Sequence, residues 1–214
     1  MLTIDYVLVK SQSALNSGLH PKIKEMATEL IKQSYLAGVP ILLTQGYRSK
    51  EYQDQLYAQG RTKLYDANGK KLSIVTNAKG GSSMHNYGLA VDFALLLPSG
   101  TSASWDTTRD GDGDNVRDWA EVVNIGKKIG FEWGGDWKGF VDMPHFQYTF
   151  GLTLKQLQAG KRPPIEEEIT MKKADADKVI VSLQKLWSQA KTQAEKDEYH
   201  RQADAVRDAA GIKK

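Results

Sequence analysis

Apolar residues recur at helical spacing through residues 21–37, PKIKEMATELIKQSYLA, where Ile23, Met26, Ala27, Leu30 and Ile31 share one face. Pro21 suits a first helical turn, where a missing N–H costs nothing, and Gly38 ends the run. VPILLTQGYRS then reads as a buried strand entering a turn, which places Arg48 at a strand-to-helix corner. The helix after it, SKEYQDQLYAQG, has Ser49 as its cap and Gly60 as its stop. Residues 61–84 lose the periodicity and become polar and glycine-rich, a long connection of the kind that borders binding sites. LAVDFALLL returns to a strand pattern, Val116 to Lys128 to a helix closed by Gly130, and FEWGGDWKGFVDMPHFQYTF gives aromatic-rich strands separated by turns. Helices and strands are interspersed without regular βαβ alternation, which predicts an α+β class.

Past residue 160 the pattern changes. GKRPPIEEE is rich in proline and charge and reads as a linker over 161–169, separating a main domain (1–160) from a small second unit (170–214). In that unit Val179, Ile180, Leu183, Leu186, Trp187 and Ala190 form one helical stripe. Thr192 and Glu195 form a capping box that starts another helix, carrying Tyr199, Ala203, Val206 and Ala210 and stopping at Gly211. The prediction is a helical hairpin too small for a strong core of its own.

Composition narrows the chemistry. With 29 basic and 26 acidic residues the net charge is only +3, and there is neither a basic stripe nor a phosphate-cradling glycine loop, so nucleic acid is not an expected partner. The start MLTIDYVLVKSQSALNSGLH lacks a basic segment leading an apolar core, and nowhere do about 18 apolar residues run together. The expectation is a soluble protein made in the cytoplasm without a signal peptide and without membrane insertion. The chain has no cysteine, so a tightly held transition metal must use histidine and carboxylate ligands.

Four histidines are therefore worth inspecting. SSMHNYGLAVDF sets His85 and Asp92 seven positions apart around a glycine, and VDMPHFQ supplies His145 three residues after Asp142. Two histidines and an aspartate leave a tetrahedral zinc one open position, as in catalytic sites, so His85, Asp92 and His145 are the candidate ligands. A histidine beside a turn also has a plainer use as a hydrogen-bonding group. His20, before a helix-starting proline, and His200, in the hairpin, do not fit the metal pattern.

SSMHNYGLAVD resembles the S-x-H-x-x-G-x-A-x-D signature of the VanY-like zinc peptidases, the M15 group. GYRSKEYQDQLYAQGR resembles the arginine segment of that family and WGGDWKGFVDMPHFQ its closing motif, in family order across about half of the chain. The nearest subgroup is that of the L-alanyl-D-glutamate endopeptidases of phage endolysins and bacterial wall hydrolases. The resemblance implies a hedgehog/DD-peptidase-type fold and zinc-dependent cleavage of peptidoglycan stem peptides. It also implies action at the cell wall, for a phage lysin after holin-mediated release. It assigns the general base to Asp142; were Asp142 only capping a turn, Asp136 or Glu132 would have to serve. It makes Arg48 the residue that holds substrate and stabilises the oxyanion, and Ser83 a substrate-binding or supporting hydroxyl. A surface ion pair for Arg48 and a solvated turn for Ser83 are the alternatives. Gln147 stands where some relatives carry glutamate. The rival readings are a D-Ala-D-Ala carboxypeptidase of the same family and a non-catalytic metal-binding module. The hairpin, with ten basic and ten acidic residues over 165–214, is expected to serve wall targeting or self-association rather than simple attraction to wall polyanions.

A second metal signal lies in DGDGDNVRDWAE. Asp110, Asp112, Asp114, Asp118 and Glu121 occupy positions one, three, five, nine and twelve of a calcium-loop pattern running into a helix. Asn115 stands where the pattern has glycine, and tolerates the left-handed backbone; Arg117 replaces the usual aliphatic at position eight. The alternative is a solvated acidic loop. Trp105, Trp119, Trp133 and Trp137 are read as core residues first and as a sugar platform second.

Overall fold

The computed structural model describes residues 2–16, 18–165 and 173–210. Contacts divide the chain into two units, Met1–Ile165 and Glu166–Lys214.

The first unit is built on a five-stranded antiparallel sheet. Its helices are α1 (Ile4–Ser11), α2 (Pro21–Leu36), α3 (Lys50–Ala58), α4 (Asp118–Ile129) and α5 (Leu154–Gln158). Its strands are β1 (Ile41–Gln45), β2 (Ala90–Leu96), β3 (Ala103–Ser104), β4 (Glu132–Trp133) and β5 (His145–Gln147), in the order β1-β2-β5-β4 with β3 also on β2. β2 reads as a nearly unbroken apolar run because it is the central strand, buried on both faces. Phe93 stacks on Phe146 at 5.3 Å and on Trp119 of α4 at 4.5 Å, so the core lies between the sheet and α2 and α4. Gly126 of α4 leaves room for the Phe146 ring.

The local signals act as expected. Ser49 Oγ accepts the Tyr52 N–H, and Gly38 and Gly130 take positive φ where α2 and α4 end. α4 begins at Asp118 rather than Val116, because Arg109 O accepts the Asp118 N–H and Asp114 Oδ1 binds the Val116 N–H in a turn. The aromatic segment after Gly130 holds only two short strands, since the turn over Gly134–Asp136 and the loop to Pro144 take up the residues between. Two helices escape the periodicity argument. α1 buries Val7 and Ser11, and the serine's hydroxyl breaks the apolar stripe while accepting the Leu43 N–H at 3.0 Å. α5 is a five-residue helix too short for a period, although its Thr153–Gln156 capping box is legible.

In the second unit α6 (Lys173–Gln189) and α7 (Gln193–Ala209) pair, and the Thr192–Glu195 capping box forms reciprocally at 3.2 and 3.0 Å. Leu183 and Ala203 are buried, whereas Val179, Leu186 and Trp187 of the stripe stay more than a third exposed. The predicted stop at Gly211 lies outside the described residues.

Candidate active site

Strand register brings the metal candidates together. At one level of the sheet Asp92 of β2 lies opposite Gln45 of β1 on one side and His145 of β5 on the other. Directly paired residues share a face, so Asp92 and His145 meet on the face opposite Phe93 and Phe146. His85 comes from the 3-10 turn Met84–Tyr87 just before β2. Gly88 closes that turn at φ 69, and a Cβ there would stand 2.2 Å from Gly18 O, so the glycine of the motif is needed twice over. His85 is strapped to the corner after β1: its Nδ1 lies 2.7 Å from Gly46 O, and its carbonyl accepts the Arg48 N–H.

His85 Nε2, Asp92 Oδ1 and His145 Nδ1 stand 3.1–3.2 Å from one another. A tetrahedron with zinc–ligand bonds of about 2.0–2.1 Å has edges of about 3.3–3.4 Å, so the donor set and its spacing fit zinc. Arg48 donates to Asp92 Oδ2, which leaves Oδ1 for the triad. Burial lowers the His85 pKa, keeping a lone pair available. Burial also acts to lower His145, but the hydrogen bond and charge of Asp92 prevail and raise it. Asp92, despite its burial, is held well below the usual carboxylate range by the two histidines.

A cleft of about 410 Å³ opens over the triad, with Arg48, Ser83, Trp137, Phe140 and Asp142 around it. Asp142 is placed by a tight turn: its N–H donates to Gly134 O, its carbonyl accepts the His145 N–H, and Trp133 Nε1 donates to Met143 O at 2.8 Å. Burial and the charge of Asp92 raise the Asp142 pKa. Of the other carboxylates considered, Asp136 pairs with Lys127 at 2.7 Å, and Glu132 binds Gln147 and Thr149. Among the described residues, Asp142 is the carboxylate that lines the cleft outside the triad. Sequence reasoning missed Asn86, whose amide ties Gly81 to the carbonyls of Arg48 and Ser49 and so joins the cleft wall to the arginine. No spacing rule flags an asparagine whose partners are backbone groups far along the chain.

The acidic loop lies outside this cleft. Its carboxylates form two overlapping groups, Asp110 with Asp112 and Asp118, and Asp112 with Asp114 and Glu121. Asp110, Asp112 and Asp114 each accept a backbone N–H of the loop, and Asn115 takes φ 69. Asp118 is turned towards Arg109 and the Gly111 N–H. Glu121 Oε2 is buried without a hydrogen-bond partner, and burial together with the four aspartates pushes its pKa up to about 7.

Residues 76–148 match the family model described as D-alanyl-D-alanine carboxypeptidase, of the M15 peptidases. The chain is 49% identical over 142 residues to the peptidoglycan L-alanyl-D-glutamate endopeptidase CwlK of Bacillus subtilis (strain 168), a match covering 64% of this chain and 80% of that protein. It is 29% identical over 145 residues to the L-alanyl-D-glutamate peptidase of Listeria phage A118, covering 68% of this chain and 43% of the phage protein. Among solved structures, the L-Ala D-Glu endopeptidase ChiX of Serratia marcescens aligns over 70% of this chain and 90% of its own, with 24% identity and a TM-score of 0.44. The chain belongs to the M15 peptidase family.

Proposed function

We propose that the protein is a zinc-dependent endopeptidase that cuts the L-Ala–D-Glu bond of peptidoglycan stem peptides. The observation that carries this reading is the convergence of three donor atoms, 3.1–3.2 Å apart, beside an open cleft holding a fourth carboxylate, Asp142. The choice of bond is supported by the 49% identity to a Bacillus relative of that specificity.

His85, Asp92 and His145 would hold zinc, which when bound supplies a Lewis acid for the scissile carbonyl and an acidified water. The chain's own groups do the rest. Gly46 O fixes the His85 ring with Nε2 inward, and Arg48 pins one oxygen of Asp92. Asp142, with its raised pKa, takes the proton of the water that adds to the carbonyl carbon. It returns that proton to the D-Glu nitrogen as the C–N bond breaks. Arg48 borders the cleft, and its fork of donors suits the charge that builds on the carbonyl oxygen. Ser83, on the same border, offers a hydroxyl to the peptide.

The test compares His85→Ala, His145→Ala and Asp142→Asn. The two histidine variants should lose both zinc and turnover. Asp142→Asn should keep about one zinc per chain while losing at least ~100-fold in turnover, because it acts on water and not as a ligand. Full activity in Asp142→Asn would overturn its role.

We further propose that the protein works at the bacterial cell wall as a lysin, reached after holin-mediated release, and that the α6–α7 hairpin serves wall targeting or self-association. The identity to a phage peptidase supports the lysin reading, and the exposed Trp187 and Leu186 support a hairpin surface that something covers. We also propose that the acidic loop takes calcium, on the support of the unpartnered, buried Glu121 Oε2 facing four aspartates. Calorimetry on Asp112→Ala with Asp114→Ala tests this: unchanged calcium binding would leave the loop as acidic surface.

A further inference from the structure

His145 reaches the triad through Nδ1, so its ring must be held with Nε2 outward. Nε2 lies 3.1 Å from Gln147 Oε1, two residues along β5 on the same face. The amide nitrogen of Gln147 donates at 2.9 Å to Glu132 Oε2 on β4, where the register sets Glu132 directly opposite Gln147. The other oxygen of Glu132 accepts the Thr149 hydroxyl at 3.0 Å.

These contacts permit one polarity. An ionised carboxylate only accepts, so the NH2 end of the Gln147 amide must face Glu132. Its oxygen then faces His145, and Nε2 must carry the ring proton. In the neutral ring that a metal requires, a proton held on Nε2 leaves Nδ1 with its lone pair towards His85 and Asp92. His85 obtains the same result from a backbone carbonyl, Gly46 O, whereas His145 obtains it from side chains.

We propose that Glu132 and Gln147 are positioning residues that fix the tautomer and orientation of His145 for metal binding. The inference rests on the metal reading of the triad. Such partners contribute about 10–100-fold to metal affinity. Glutamine at 147 therefore supplies a neutral acceptor whose direction is set by a charge one strand away. Glu132 itself is exposed, so it orients the amide without adding a buried charge beside the ligands.

The test uses the full chain loaded with zinc. Zinc affinity is measured by competition with a chelating dye for wild type, Gln147→Leu, Gln147→Glu combined with Glu132→Gln, and Glu132→Ala. In parallel, long-range 1H–15N correlation reads the His145 ring of the zinc-loaded wild type. The expected spectrum has a proton on Nε2 and a metal-shifted Nδ1. Gln147→Leu should bind zinc about 10–100-fold more weakly. Gln147→Glu combined with Glu132→Gln, which keeps an acceptor for Nε2–H and a donor against it, should recover most of the affinity, and Glu132→Ala should fall between. Wild-type affinity in Gln147→Leu, or an unprotonated Nε2 in the wild-type spectrum, would overturn the relay while leaving the metal site standing. Absence of zinc binding by the wild type would instead overturn the metal reading beneath it. The wild-type spectrum decides the matter even if Gln147→Leu fails to fold.

Discussion

Gly134→Ala should disable the cleft without touching any group that does chemistry. A Cβ on Gly134 would stand 2.5 Å from the Asp142 carbonyl oxygen, 3.0 Å from His145 Cβ and 3.1 Å from Asp142 Cβ. The nearest atom is backbone, so no side-chain rotation relieves the clash. To restore an ordinary 3.4 Å contact the Asp142–His145 turn must retreat by about 0.9 Å. That turn is tied in two ways, by Asp142 N–H to Gly134 O and by His145 N–H to Asp142 O, so base and ligand move together. A displacement near 1 Å costs roughly 100-fold in rate for groups that must meet a reacting atom. Overpacking of this kind costs about 1–3 kcal/mol in stability. For a unit of this size that lowers the melting midpoint by roughly 2–12 °C. The assay is kcat/KM on a soluble stem peptide, followed by mass spectrometry, alongside a thermal melt and zinc affinity. The variant should stay folded at assay temperature, lose about 100-fold in kcat/KM and bind zinc more weakly. Wild-type kcat/KM with an unchanged melt would refute the claim that Gly134 exists to let this turn close.

Other perturbations reach other parts of the molecule. Phe146→Ala removes a fully buried ring stacked between Phe93 and Phe131, beside His145, and should cost about 3–5 kcal/mol in urea unfolding; under about 1 kcal/mol would contradict its place in the core. In the metal-free protein Glu121 has a folded pKa raised to about 7, so its contribution to stability is present below its ordinary value and lost as pH climbs to about 7. Glu121→Gln in chelator should therefore flatten the fall of the melting midpoint over that window, and parallel wild-type and variant curves would oppose a Glu121 carboxyl raised by burial and by its four aspartate neighbours. A chain ending after Ile165 keeps the whole first unit and should hydrolyse soluble stem peptide normally but lyse intact cells poorly. Equal lysis by the short and full chains would remove the wall-targeting role of the hairpin.

The readability of this chain follows the range of its interactions. α2, α3 and α4 are legible because their periods, caps and closing glycines are local. His85 and Asp92 are legible as a pair because one turn and the start of one strand join them. His145 could be added by its chemistry, but its arrival beside Asp92 is a matter of β2–β5 register, which no spacing within VDMPHFQ encodes. The contact of Glu132 with Gln147 is less legible still, since it depends on a two-residue strand that forms only because β5 is there to pair with it. Ser11 of α1 hides its helix for a related reason: its hydroxyl is buried because a strand 32 residues away needs an acceptor.

Product analysis reads which bond the protein cuts. Purified peptidoglycan is digested with the protein, with chelator, and with chelator followed by zinc, and the fragments are analysed by mass spectrometry and amino-terminal labelling. New D-glutamate amino termini should appear, be abolished by chelator and be restored by zinc. Release of free D-alanine without new D-glutamate termini would contradict it and make the protein a carboxypeptidase.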